Sequence, residues 1–219
     1  MTGGTFTLRE LFVMGGPVMW PLLVFSIVTT ALAIERTIYI VYHNLKLDDL
    51  REAVRTYIKK NDLAGAKEYL AALTKRRVGA RILLTLVTRS SLSEQRLEKM
   101  VEAEAISCMG KLESGFNFLT TLAALSPLTG FLGTVTGMIS AFKSIAEATE
   151  VNAQIVASGI YEALITTVFG LVIAIVAISA HSFLTHVVDK FAEETEKTCS
   201  DLITELALLN ESHNNDPGA

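Results

Sequence analysis

From Phe116 to Phe142 the chain carries no aspartate, glutamate, lysine or arginine. Wound as one helix, such a run is long enough for the hydrocarbon core of a bilayer, which takes roughly 20 residues. Two further runs qualify. One extends from Val18 to Tyr42, interrupted only by Glu35 and Arg36, and the other from Ala163 to Val188, entered through Glu162 and free of charge until Asp189. Half of the 219 residues are hydrophobic and the mean hydropathy is +0.42, yet 19% are charged, so apolar and polar material is segregated along the chain. The pattern predicts an all-α membrane protein: three transmembrane helices, with long helices extending into a cytoplasmic helical domain.

The first run competes with a signal peptide, because Ala31-Leu32-Ala33 resembles a cleavage site. Arg9 is balanced by Glu10, however, and apolar sequence resumes after Arg36 with "TIYIVY", which favours a retained helix. Pro17 and Pro21 suit its first turn, and Trp20 an interfacial anchor. Of the chain's 19 lysines and arginines, 14 lie between His43 and Gly115, including Lys75, Arg76 and Arg77. The positive-inside rule puts that segment in the cytoplasm. The expected organisation is therefore an outward-facing segment 1–16, a span 17–42, a cytoplasmic helical region 43–115, a span 116–146, a short outward connection 147–158, a span 159–188 and a cytoplasmic helix with a disordered tail, 189–219.

Within the cytoplasmic region, "LDDLREAVRTYIKKNDLAGAKEYLAAL" reads as two helices separated near Asn61-Asp62. "SLSE" at 91–94 predicts a capping box between Ser91 and Glu94. From Leu97 through Val101, Ala105, Cys108 and Leu112 to Phe116, apolar residues recur every three or four positions, which predicts one helix running from cytoplasm into membrane. Phe191, Thr198, Leu202, Leu206 and Leu209 continue the third span in the same way. The polar ending "ESHNNDPGA" reads as disordered. Cys108 and Cys199 fit no metal spacing or disulfide framework and read as buried thiols.

The second span lines up Ser126, Gly130, Gly133, Gly137, Ser140 and Ser144. The third lines up Gly159, Thr166, Gly170, Ala174, Ala177 and His181. Lipid does not require small residues, but a helix at close range does, so Gly130, Gly133, Gly137 and Gly170 are candidate packing positions. Pro127 needs its freed carbonyl satisfied by a neighbour, a water or a local distortion.

Glu162 is the exception in this apolar setting. A charge in hydrocarbon costs about 2.5 to 3.5 kcal/mol on insertion scales, so the side chain is expected to face a cavity or a partner, where it can exchange a proton. The competing reading keeps it hydrated at the outer interface, at the head of a helix. Glu35 and Arg36, adjacent at the inner end of the first span, read as interfacial. His181 and His186 lie near the inner end of the third, and His181 is a candidate proton exit residue. No phosphate-cradling loop, zinc motif or nucleophile with a matching base is visible, so the chain does not read as an enzyme and implies no cofactor. Nothing points to nucleic acid.

"WPLLVFSIVTTALAIER" (20–36), "SPLTGFLGTVTGMISAF" (126–142) and "GIYEALITTVFGLVIAI" (159–175) together resemble the ExbB/TolQ/MotA proton-channel family, ExbB most closely and TolQ next. The resemblance covers all three spans and their order. It implies a subunit of a motor in the bacterial inner membrane, amino terminus periplasmic and carboxyl terminus cytoplasmic. In that family five copies ring a pore that holds the single-span helices of an ExbD- or TolR-like partner. Force passes to a TonB- or TolA-like protein.

Carried onto this sequence, the family's pore glutamate is Glu162 and its threonines are Thr134 and Thr167; helical spacing adds Thr166, four residues after Glu162, as sharing its face better. Threonine hydroxyls donate and accept, so they suit a narrow proton path, although bonding to a helix carbonyl would explain them equally well. Three alternatives stay open: a TolQ role in envelope maintenance, a four-span stator of the MotA kind, and a non-conducting membrane scaffold. The residues allow protons or sodium.

Overall fold

The computed structural model describes residues 7–147 and 153–214. These residues form eight helices in order: α1 (Leu8–Met14), α2 (Met19–Tyr42), α3 (Asp48–Lys59), α4 (Leu63–Leu73), α5 (Val78–Thr88), α6 (Glu94–Leu112), α7 (Phe116–Glu147) and α8 (Ala153–Asn214). Among the described residues there is no strand. Among the described residues three helices are long and apolar enough to cross a membrane: α2, α7 and, within α8, Ala157–Leu209. The all-α membrane architecture read from the sequence is the one observed. The chain divides into two compact units, one from Met1–Glu35 and Gly115–Phe183, the other from Arg36–Ser114 and Leu184–Ala219.

In the first unit the amino-terminal end of α2 packs on α8. Met19 and Leu22 are buried with Ile165 and Ile173, flanked by Leu11, Phe12, Val18, Phe25 and Phe169. The sequence signals for α1 are local. Thr7 and Glu10 form a reciprocal capping box at its start. At its end Gly15 bonds back to Leu11, Gly16 takes φ +69°, and Pro17 follows. The expectation for segment 1–16 included no helix, so α1 is an addition; residues 1–6 lie outside the described part.

The second unit is a helical core. Leu50, Val54 and Ile58 of α3, Ala66 and Leu70 of α4, Ile82, Leu83 and Leu86 of α5, and Leu97, Val101 and Leu112 of α6 are buried. Asp49 pairs with Arg77, whose guanidinium also donates to the Lys46 carbonyl at 2.5 Å. Arg51 pairs with Asp201, Arg55 with Glu205 at 3.1 Å, and Arg81 with Glu104 at 2.5 Å. The break between α3 and α4 falls at Asn61, which adopts φ +55°, and Asp62 caps α4 through the Gly65 amide.

Three local expectations need correction. The Ser91/Glu94 capping box does not form, because α6 starts at Glu94 and Ser93 is its N-cap, without a side-chain bond; Glu94 is one residue from the cap, and a reciprocal bond needs three. The helix expected to run unbroken from Leu97 to Phe116 is interrupted, ending at Leu112 and restarting at Phe116 across Gly115, which takes φ +88°. The tail is also more regular than expected, since α8 continues to Asn214; residues 215–219 lie outside the described part. Of the expected outward connection, residues 148–152 also lie outside it, and α8 is already helical from Ala153.

Candidate functional site

The α7–α8 hairpin is joined through residues with little or no side chain. A β-carbon added at Gly130 would stand 2.8 Å from the Thr166 carbonyl oxygen and 3.1 Å from the Thr167 Cα. At Gly170 it would come 2.5 Å from the Ser126 carbonyl oxygen, and at Gly137 it would come 3.1 Å from that of Gly159. At Gly133 it would overlap the Thr166 side chain, 2.3 Å from its hydroxyl. The four candidate glycines thus lie in the contact between two helices of one chain. The buried row on α7 is Ser126, Gly130, Gly133, Gly137 and Ala141. Ser140 and Ser144, placed in that stripe from the sequence, are exposed.

Thr166 is 1% exposed, and its hydroxyl is shared between the carbonyl oxygens of Ala163 (2.8 Å) and Gly130 (3.2 Å), tying α8 to α7. Thr167 reaches the same two carbonyls only at 3.5 and 3.4 Å and is partly exposed. Thr134 donates to Phe131 of its own helix at 2.6 Å. All three hydroxyls therefore have helix-carbonyl partners, but Thr167 is held most loosely. Ser126 donates to Leu122 at 2.6 Å, so the hydroxyl beside Pro127 also turns back onto its own helix. His181 is partly exposed and meets Phe116 edge to face, ring centroids 6.0 Å apart.

Glu162 is partly buried and points at the turn between α1 and α2. A β-carbon at Gly16 would lie 2.0 Å from its Oε1 and 2.9 Å from its Cδ. Among the described residues no hydrogen bond or ion pair to this carboxylate is recorded. Its neighbours on α8 divide between two partners. Ile165 and Ile173 turn to the α2 cluster, while Gly159, Ala163, Thr166 and Gly170 meet α7. Glu162 therefore stands at the seam of three helices, in a span that brings no further aspartate, glutamate, lysine or arginine until Asp189.

The profile described as the MotA/TolQ/ExbB proton channel family matches residues 66–197, more than half of the chain. The chain belongs to the MotA/TolQ/ExbB family. An ExbB-like biopolymer transport protein of Synechocystis is 35% identical over 184 residues, covering 78% of this chain and 68% of that one. Biopolymer transport protein exbB1 of Vibrio cholerae is 29% identical over 198 residues, covering 88% and 85%. Tol-Pal system protein TolQ of Haemophilus influenzae is 45% identical over 73 residues, about a third of each chain. The matched family region includes Thr134, Glu162, Thr166, Thr167 and His181 but ends short of α1 and Gly16.

Sequence reasoning missed Gly16. The signal available was "GGP" after a capped turn, which marks a helix stop and says nothing of the residue 146 positions away that the stop lies against.

Proposed function

We propose that this chain is the pore-forming subunit of a proton-driven motor in the bacterial inner membrane, working with an ExbD-like single-span partner to energise TonB-dependent transport across the outer membrane. The observation that carries the reading is Glu162, an acid at the head of an otherwise uncharged stretch, 163–188, packed on another, 116–142, in a member of a proton channel family. In this reading copies of the chain assemble, five by resemblance, and their hairpins surround the partner's helix. Glu162 holds or passes the proton. Thr167, whose hydroxyl is loosely bound, and Thr134 offer further donor and acceptor sites, while Thr166 serves chiefly to lock α8 on α7. His181, near the inner end of the span, is the candidate exit residue. The amino terminus is periplasmic and the carboxyl terminus cytoplasmic, following the basic 43–115 segment.

A second reading is favoured by the 45% identity to TolQ over 73 residues, namely a subunit of the Tol-Pal envelope-maintenance system. Both readings use the same pathway residues. A deletion strain complemented with wild type or Glu162→Gln separates them. Failure of Glu162→Gln to restore growth on siderophore-bound iron supports the first reading, and failure to restore bile-salt resistance supports the second. Full rescue of both traits at normal expression removes Glu162 from any pathway and leaves a membrane scaffold.

A further inference from the structure

Gly15 and Gly16 occupy the turn where α1 hands over to α2, and each lies against α8. A β-carbon at Gly15 would stand 3.3 Å from the Ile165 side chain and 2.5 Å from that of Met19; at Gly16 it would overlap the Glu162 carboxylate. Residues 162 and 165 are about one turn apart on a helix, so two consecutive glycines match two successive positions on one face. The turn is anchored on either side. Leu11 and Phe12 of α1 pack in the cluster with Ile165, and Phe12 meets Trp20 of α2 edge to face at 5.4 Å. Gly16 itself takes φ +69°, a left-handed conformation that strains most residues bearing a β-carbon.

Two requirements therefore converge on residue 16. The end of α1 calls for a left-handed residue, which asparagine also tolerates. The carboxylate calls for the absence of a side chain, which glycine alone meets. We infer that Gly16 is a positioning residue: the Gly15–Gly16 turn is a seat, built outside the region matched by the family profile, that holds the Glu162 side chain in the α2/α7 seam and covers it from the outer end of the bundle. A side chain at 16 swings the carboxylate off the seat. The importance of the seat for transport rests on the function proposed above, but its existence does not.

The test uses the full-length protein in lipid nanodiscs and dicyclohexylcarbodiimide, an apolar reagent that modifies protonated carboxyl groups, with the adduct at Glu162 followed by mass spectrometry. Gly16→Ala combines backbone strain with displacement of the carboxylate, whereas Gly16→Asn displaces it with little strain. Gly15→Ala disturbs the same turn through Met19 without touching Glu162. The expected result is a severalfold faster labelling of Glu162 in both Gly16 variants and an unchanged rate in Gly15→Ala. Equal rates in Gly16→Asn and wild type overturn the inference, as does equal acceleration in all three variants, which marks a merely structural turn. If Gly16→Ala fails to fold, Gly16→Asn and Gly15→Ala decide alone. Labelling does not require conduction, so loss of the proton-motor reading leaves this outcome readable, and loss of the seat leaves the complementation result readable.

Discussion

Gly170 approaches Ser126 so closely that a β-carbon at 170 would lie 2.5 Å from the Ser126 carbonyl oxygen. A carbonyl cannot rotate aside as a side chain can, so the helices themselves must part. Gly170→Ala is expected to destabilise the protein by about 1 to 3 kcal/mol, the usual range for overpacking. Gly110, in α6, meets nothing within 4 Å at the same virtual atom, and Gly110→Ala is expected to stabilise by about 0.5 to 1 kcal/mol through the gain in helix propensity. Thermal melting in detergent, followed by circular dichroism, compares the two; equal shifts would contradict the assignment of Gly170 to a backbone contact.

The two adjacent threonines should part company. Thr166→Val removes a hydroxyl that bridges helices, and a bond of this kind is worth about 0.6 kcal/mol in membranes. Its expected effect is a small loss of thermal stability with complementation retained. Thr167→Val removes a loosely bound hydroxyl and is expected to leave melting unchanged while reducing complementation. The reverse pattern would reassign the pathway hydroxyl to Thr166.

In the second unit, the hydrogen bond from Arg77 holds the Asp49 carboxyl below the usual carboxylate range, with burial opposing and the Arg77 charge assisting. A carboxyl depressed in the folded state contributes stability above its unfolded value, near about pH 4, and loses it as pH falls through the folded value. Asp49 is well exposed, so the pair is worth no more than about 1 kcal/mol. Arg77→Ala is expected to lower melting slightly at pH 7 and to flatten the acid limb of the stability curve. An acid limb identical to wild type would show that the pair carries none of the pH dependence.

Both cysteines lie in that unit and are buried. Burial pushes the Cys199 thiol up to about 12, and burial with the nearby Glu104 raises Cys108. Thiolate, the reactive form, is therefore scarce at pH 8. Iodoacetamide should label neither residue in the folded protein and both after denaturation. Rapid labelling of Cys199 in the native state would show that the α8 segment opens.

How much of this was legible beforehand depended on the range of the signal. Long apolar runs foretold α2, α7 and α8, because a bilayer imposes length and composition directly on the chain. Asn61-Asp62 marked the α3–α4 break through residues that tolerate a left-handed turn and cap the next helix. The same local logic failed at 91–94, where a capping box was one plausible start among several and the helix began at Glu94. It failed again at Gly115, where an apolar periodicity spanned the break without registering it. The candidate site was half legible. Glu162 stood out by charge alone, and Gly130, Gly133, Gly137, Thr166 and Gly170 by their spacing, but nothing local told that Thr166 would bond across to Gly130 or that Gly16 would meet Glu162. Such contacts join positions far apart in the chain and leave no mark on either neighbourhood.

The main-chain character of the α7–α8 contact also affects how the hairpin closes. Glycine has no rotamers to freeze, so bringing these faces together costs little side-chain entropy. Sliding α8 by one residue would bring Leu171 or Leu164 towards the notches that Gly170 and Ala163 occupy, and a branched side chain has no room there. The notches thus reject misaligned pairings as the chain inserts, leaving the hairpin one register in which to close.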